Sequence, residues 1–285
     1  MHRTISRALV ALATLALAAA PLAAGCSKSH DVAAPQAGAT VTIPLAARTV
    51  GTRWTKTDDT STDLVLTAGD QQVKAGGSRH HRTAGEILAV GDGGAMTKVK
   101  LTYLERTEHN VGPGAADAAL AIAGKSYIAW FDGSAVQATT ADGAAVSEDE
   151  LREIRDDQDD LGQPDVMDQI MARTWTRGER VELTAAELDR LAASKAMGPR
   201  ATSMSFTLTG VDGDAATFEL TMKMTDGANA LTIDAGGTAV VDVRTGRPRR
   251  LEIRGPITGA LDGGEQGPVG VTGSMQSVVT YQFEN

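Results

Sequence analysis

Between Met204 and Met224 apolar and polar residues take strict turns. Met204, Phe206 and Leu208 alternate with Ser205, Thr207 and Thr209. After Asp212-Gly213, Ala216, Phe218, Leu220, Met222 and Met224 alternate with Thr217, Glu219, Thr221 and Lys223. A period of two belongs to a strand, whose successive side chains point to opposite faces. One face must then be covered and the other wet. Leu231 with Ile233, Val241 with Val243, Leu251 with Ile253, and Val279, Tyr281 and Phe283 continue the pattern to the C-terminus. The intervening segments are too short for the crossovers that parallel strands need, so the C-terminal third predicts an antiparallel meander.

The first half of the chain carries the same signal. Val99, Leu101 and Tyr103 alternate with Lys98, Lys100 and Thr102; Trp54 opens a core-facing strand, and Glu86–Val90 is a further strand. Asn110–Ala118, with Gly112-Pro113-Gly114, reads as a loop. Asp132-Gly133 between Lys125–Phe131 and Ala135–Thr139 predicts a hairpin, because both central residues of such a turn must tolerate positive φ. The middle of the chain changes period. Ser147 and Glu150 form a capping box ahead of Leu151, Ile154 and Leu161, and Thr184 and Glu187 form another ahead of Leu188, Leu191 and Ala192. Pro164 starts a helix with Val166, Met167, Ile170 and Met171 on one face. Arg180–Leu183 is a short extended piece, and Gly198-Pro199 stops the last helix. The expected fold is mainly β (α+β): a curved antiparallel sheet or half-barrel, with two or three short helices inserted near residues 147–197 of one domain, 41–285.

The N-terminus has a different logic. His2, Arg3 and Arg7 precede an apolar run from Ala8 to Ala20, and no acid occurs before Asp31. A basic start, a short apolar middle and small residues at its end make a secretory signal; the run falls short of the ~20 residues a membrane helix needs. It ends in Leu22-Ala23-Ala24-Gly25-Cys26, which contains the single cysteine of the chain. This stretch resembles the lipobox of bacterial lipoproteins, with Leu22 one place further from the cysteine than usual and Ala23 in the customary leucine position. The resemblance implies cleavage between Gly25 and Cys26 and a lipid on the Cys26 thiol. It assigns residues 1–25 to a signal peptide and 26–40 to a flexible tether. The protein would be exported and held to a bacterial membrane by that lipid, inner or outer, with its domain outside the cytoplasm. The layout of the mature region, and the Val243–Pro248 turn, look like those of uncharacterised bacterial envelope lipoproteins.

Composition narrows the chemistry. The formal charge of −9 falls to −11 once Arg3 and Arg7 are removed, which argues against a nucleic-acid partner. One cysteine allows no internal disulfide and no thiolate metal site. Aromatics are only 4% of the chain, so Leu, Ile, Val, Met and Ala must fill the core. His80-His81 reads as an exposed polar turn entering a strand, and neighbours on a strand cannot readily chelate one ion. Asp156–Gly162 fails as a calcium loop, because Leu161 stands in a ligand position and Asp168 replaces the final glutamate. It reads as the solvated end of an acidic helix, with a weak cation site as the minor alternative. No nucleophile elbow, dinucleotide motif or P-loop occurs. Arg244, Arg247, Arg249 and Arg250, with Arg254 nearby, form the one basic cluster, suited to a phosphate, a lipid headgroup or an acidic glycan. The sequence therefore points to a non-catalytic binding or structural module of the cell envelope, with no cofactor, metal or catalytic residue assigned. Its partners would be the membrane, through Cys26, and an envelope protein, glycan or lipid. A carrier of a hydrophobic ligand is the second reading and a hydrolase the third.

Overall fold

The computed structural model describes residues 38–112, 115, 120–193, 200–226, 230–263 and 267–284. The signal segment, Gly25, Cys26, most of the tether, Gly198-Pro199 and much of the 110–118 loop lie outside them. The strands are β1 (Thr40–Thr42), β2 (Arg53–Ala68), β3 (Gln71–Val90), β4 (Met96–Val111), β5 (Ser126–Phe131), β6 (Val136–Thr140), β7 (Thr174–Thr176) and β8 (Arg180–Glu182), then β9 (Arg200–Asp212), β10 (Ala215–Asp226), β11 (Leu231–Asp242), β12 (Pro248–Leu261) and β13 (Val269–Glu284). The helices are α1 (Glu148–Asp157), α2 (Val166–Met171) and α3 (Ala185–Ala193).

β1 pairs with β7, and the other strands form one curved, open antiparallel sheet in the order β6-β5-β4-β3-β2-β13-β12-β11-β10-β9-β8. The chain starts at the centre with β2 and steps outward to β6. It then crosses through the helices to the far edge and steps back until β13 lies against β2. The meander, the Asp132-Gly133 hairpin and the helical middle stand as expected. Asp132 Oδ1 fixes that turn by accepting from the N–H groups of Ser134 and Ala135, each at 2.9 Å. Both capping boxes form.

Several local expectations change. Asn110 and Val111 end β4 instead of opening a loop, and α2 begins at Val166 with Asp165, not Pro164, at its start. Glu86–Val90 is the end of the 20-residue β3 rather than a separate strand. That length is possible because Gly85 lies opposite Trp54; a Cβ at Gly85 would come within 2.1 Å of the indole. His80-His81 sits mid-strand, not in a turn, and His81 is buried. The 156–160 run is not uniformly solvated, because Asp157 turns inward and pairs with Arg106 at 3.0 Å.

Two apolar clusters lie under the sheet. The larger runs from Leu64 and Leu66 through β13, β12, β11 and β10 to Phe206 and Leu208, beneath α2, α3 and β7. Trp175, 1% exposed, packs edge-on to Phe218 and Phe206 at centroid distances of 4.8 and 6.3 Å. Its indole N–H donates to Met171 O at 3.0 Å. The smaller cluster joins Val99, Leu101, Tyr103, Tyr127 and Ala129 to Ile154 and Leu161 around α1.

Candidate functional site

β2 contributes to both clusters. Its covered-face residues read Trp54, Lys56, Asp58, Thr60, Thr62, Leu64 and Leu66, so a polar stretch interrupts the apolar face at mid-strand. Burying charge is costly unless each group is paired, and here the pairing is dense. Arg79 Nη2 donates to Asp58 Oδ1 at 3.2 Å, and Lys56 Nζ lies 3.7 Å from Asp58 Oδ2. The Arg106 side chain, 8% exposed, lies over the Tyr103 ring at 4.5 Å while facing Asp157. His81 Nε2 lies 3.3 Å from Glu108 Oε1. Burial, with Arg106 and Arg79 nearby, pushes the His81 pKa down, and favours the neutral imidazole. Together these groups form a charged seam between the two apolar clusters.

The seam continues under the segment that leads into β2. Arg48 Nη2 donates to Asp168 Oδ2 at 2.7 Å and to Asp165 Oδ2 at 2.8 Å. Asp165 Oδ1 in turn caps α2 through the N–H groups of Met167 and Asp168. One guanidinium thus ties residues 43–52 to a helix start. Burial and the Asp165 charge push the Asp168 pKa up to about 6, with Arg48 opposing them.

The wet face of the same strands carries a groove of about 590 Å³, and every residue lining it is polar. Thr60, Arg79 and Glu108 form one row in the three-strand register, between the row Asp59, His80 and Thr107 and the row Ser61, Ser78 and His109. Side chains alternate along each strand, and Arg79 turns inward to Asp58. The two flanking rows therefore stand outward and the middle row supplies the floor. His80 Nδ1 is bound to Asp59 Oδ1 and Nε2 to Glu105 Oε2 at 3.1 Å. The Asp59 hydrogen bond is the first cause that raises the His80 pKa. Both ring nitrogens are thus engaged by carboxylates.

Arg244, Arg247, Arg249 and Arg250 each have partners of their own. Arg244 Nη2 lies 2.8 Å from Asp214 Oδ2, Arg249 is bound to Asp242, and Arg250 Nη2 donates to Glu252 Oε2 at 3.1 Å. Arg247 instead reaches Ala47 O at 3.3 Å and lies over the Phe283 ring at 4.8 Å. An anion here would compete with carboxylates already in place. Sequence reasoning passed over Lys56, Asp58, Arg79, Arg106 and Arg48. The polar interruption on the inward parity of β2 was the available signal.

No family model matches the chain, and no curated protein sequence matches it. Among solved structures it is similar to a chain from a study of lipid–protein interactions in lipovitellin, with a TM-score of 0.41 and 8% identity. The match covers 83% of this chain and 25% of that one.

Proposed function

We propose that the protein is an exported lipoprotein of a bacterial cell envelope, anchored through Cys26, whose domain is a non-catalytic binding module. The anchor rests on the basic, apolar and small-residue signal ending at Cys26. Two or three acyl chains hold a protein firmly, since each buried methylene adds about 0.8 kcal/mol. The observation that carries the binding role is the contrast between the faces of the sheet. The covered apolar face is packed around Trp175, whereas the wet face holds a groove lined by polar residues and large enough for a small ligand.

The test uses the full chain, purified in a detergent without a sugar headgroup and incubated with cell-envelope extract. Retained material should be polar and should be lost in Ser78→Trp, which fills the groove from the exposed face. Bound lipid at near-stoichiometric yield, unaffected by that substitution, would instead establish a carrier of a hydrophobic ligand. For the anchor, Cys26→Ser should release the protein from the membrane fraction or leave uncleaved precursor. Unchanged membrane retention of a mature-sized Cys26→Ser chain would refute it.

A further inference from the structure

We infer that the groove across β2, β3 and β4 takes a neutral, hydroxyl-bearing chain, that is, an uncharged glycan; this rests on the groove being the binding site. The argument starts from charge. Each ionic group around the groove already has a partner: Asp59 has His80, Glu105 has His80 and Arg82, Glu108 has the His81 ring with the Arg79 and Arg106 charges nearby, and Arg106 has Asp157. An anionic or cationic ligand would have to displace one of these partners, giving up a charge-assisted contact to make another. The hydroxyls of Ser61, Ser78 and Thr107 make no side-chain hydrogen bond among the described residues. The unfilled hydrogen-bonding capacity in the outward rows is thus these hydroxyls and the remaining lone pairs of the Asp59 carboxylate, whose charge His80 already meets, and each hydroxyl can both donate and accept. Sugar hydroxyls have the same dual character.

The dimensions agree. Rows two residues apart along a strand are separated by about 6.5–7 Å, and three strands span roughly 10 Å. That outlines a slot about one sugar ring wide and two rings long, crossing the strands. Ser61 lies directly opposite Ser78, and Ser78 opposite His109, so three polar side chains form one wall at strand spacing. The other wall, Asp59, His80 and Thr107, offers a carboxylate and a hydroxyl as acceptors.

Titration calorimetry on the full chain in the same detergent tests the class. The probes are neutral oligosaccharides, hexose and N-acetylhexosamine tetramers in α and β linkage, set against tetragalacturonate and inorganic phosphate. At least one neutral probe should bind, with affinity insensitive to salt between 50 and 500 mM. Ser61→Ala/Ser78→Ala should weaken it by about tenfold or more, and these wet-face changes should leave the melting temperature in place. Binding confined to tetragalacturonate or phosphate, and falling with salt, would overturn the neutral class. So would silence across the whole neutral panel. If Ser78→Trp still abolishes capture of envelope material in either case, the groove remains the site and only the glycan assignment falls. If Ser78→Trp changes nothing, both fall.

Discussion

The two apolar clusters beneath the sheet are held by different means. The larger is almost entirely hydrocarbon, with Trp175 wedged against Phe206 and Phe218 and its one polar atom satisfied by Met171 O. The smaller is built around hydrogen bonds. Tyr103 and Tyr127 meet edge-on at 5.9 Å, and Tyr127 OH donates to Glu150 Oε1 at 2.7 Å. Lys125 Nζ reaches the same oxygen at 2.8 Å, and Glu150 Oε2 accepts from Ser147 N at 2.8 Å. Hydrophobic burial is non-directional, so the larger cluster supplies most of the cohesion; the directional bonds of the smaller one fix how α1 sits on β4–β6.

The largest expected effect is on the larger cluster. Trp175→Ala should cost about 3–5 kcal/mol, the range for deleting a buried aromatic, read as a lower urea midpoint. Ile154→Ala should cost about 2–5 kcal/mol in the smaller cluster. The sharper readout is hydrogen exchange. With a charged seam between the clusters, Ile154→Ala should speed exchange in residues 98–140 and leave 204–258 protected. Uniform loss of protection across both regions would show one cooperative unit and dissolve the distinction.

Glu150→Ala comes next. It removes half of a capping box and the acceptor of a buried tyrosine, for about 2 kcal/mol in all. Lys125 first, then the Ser147 N–H and Tyr127, hold the Glu150 pKa down to about 2. A depressed carboxylate contributes stability that is present above its unfolded value near 4.5 and is lost as pH falls toward 2. The urea midpoint of the wild-type chain should therefore fall through that window, and Glu150→Ala should flatten that limb. An undiminished acid limb in the variant would remove Glu150 from the account.

The seam should respond with the opposite sign. Asp168 has a raised pKa, about 6, so the folded state holds its proton more tightly than the unfolded chain. That contribution is present at acid pH and is lost as pH rises through 6. At most about 1 kcal/mol should be recovered between pH 7 and pH 5. Asp168→Asn should remove that slope. A midpoint that rises monotonically from pH 5 to pH 7 in the wild type would contradict the inward setting of the Arg48 cluster.

The alternating strands, the Asp132-Gly133 turn and the capping boxes were legible because each is a local rule, decided within four or five residues. The seam was not. Asp157 is one of four acids in a helix-end run, and nothing local separates it from Asp156 or Asp159; only the register of β4 brings Arg106 beneath it. The same holds for the groove, whose walls come from three strands paired at Asp59↔His80↔Thr107 and Ser61↔Ser78↔His109. His81 was misplaced because a polar pair flanked by arginines resembles a turn in composition, while burial is set by the strands on either side.

The smallest expected effect concerns the arginines, whose ion pairs differ in burial. Arg244 and Asp214 make an exposed pair, with side chains 70% and 43% accessible. Such a pair gains little in water and pays side-chain entropy, so Arg244→Ala should change stability by no more than about 0.5 kcal/mol. Arg249 differs because its partner Asp242 is mostly covered and also accepts from the N–H groups of Arg244 and Thr245 at 2.9 and 3.0 Å. Burial works against the Asp242 charge, but Arg249 and those N–H groups outweigh it and hold its pKa down to about 2. Arg249→Ala leaves that carboxylate with its turn N–H partners only and should cost about 1–2 kcal/mol. Equal and negligible losses in the two variants would mean that Asp242 needs only its backbone donors. An equal loss above 1 kcal/mol would mean that the exposed pair is better ordered than its accessibility implies. The expected ratio, with Arg249 several times costlier than Arg244, follows from burial of the acceptor and not from the number of arginines in the run.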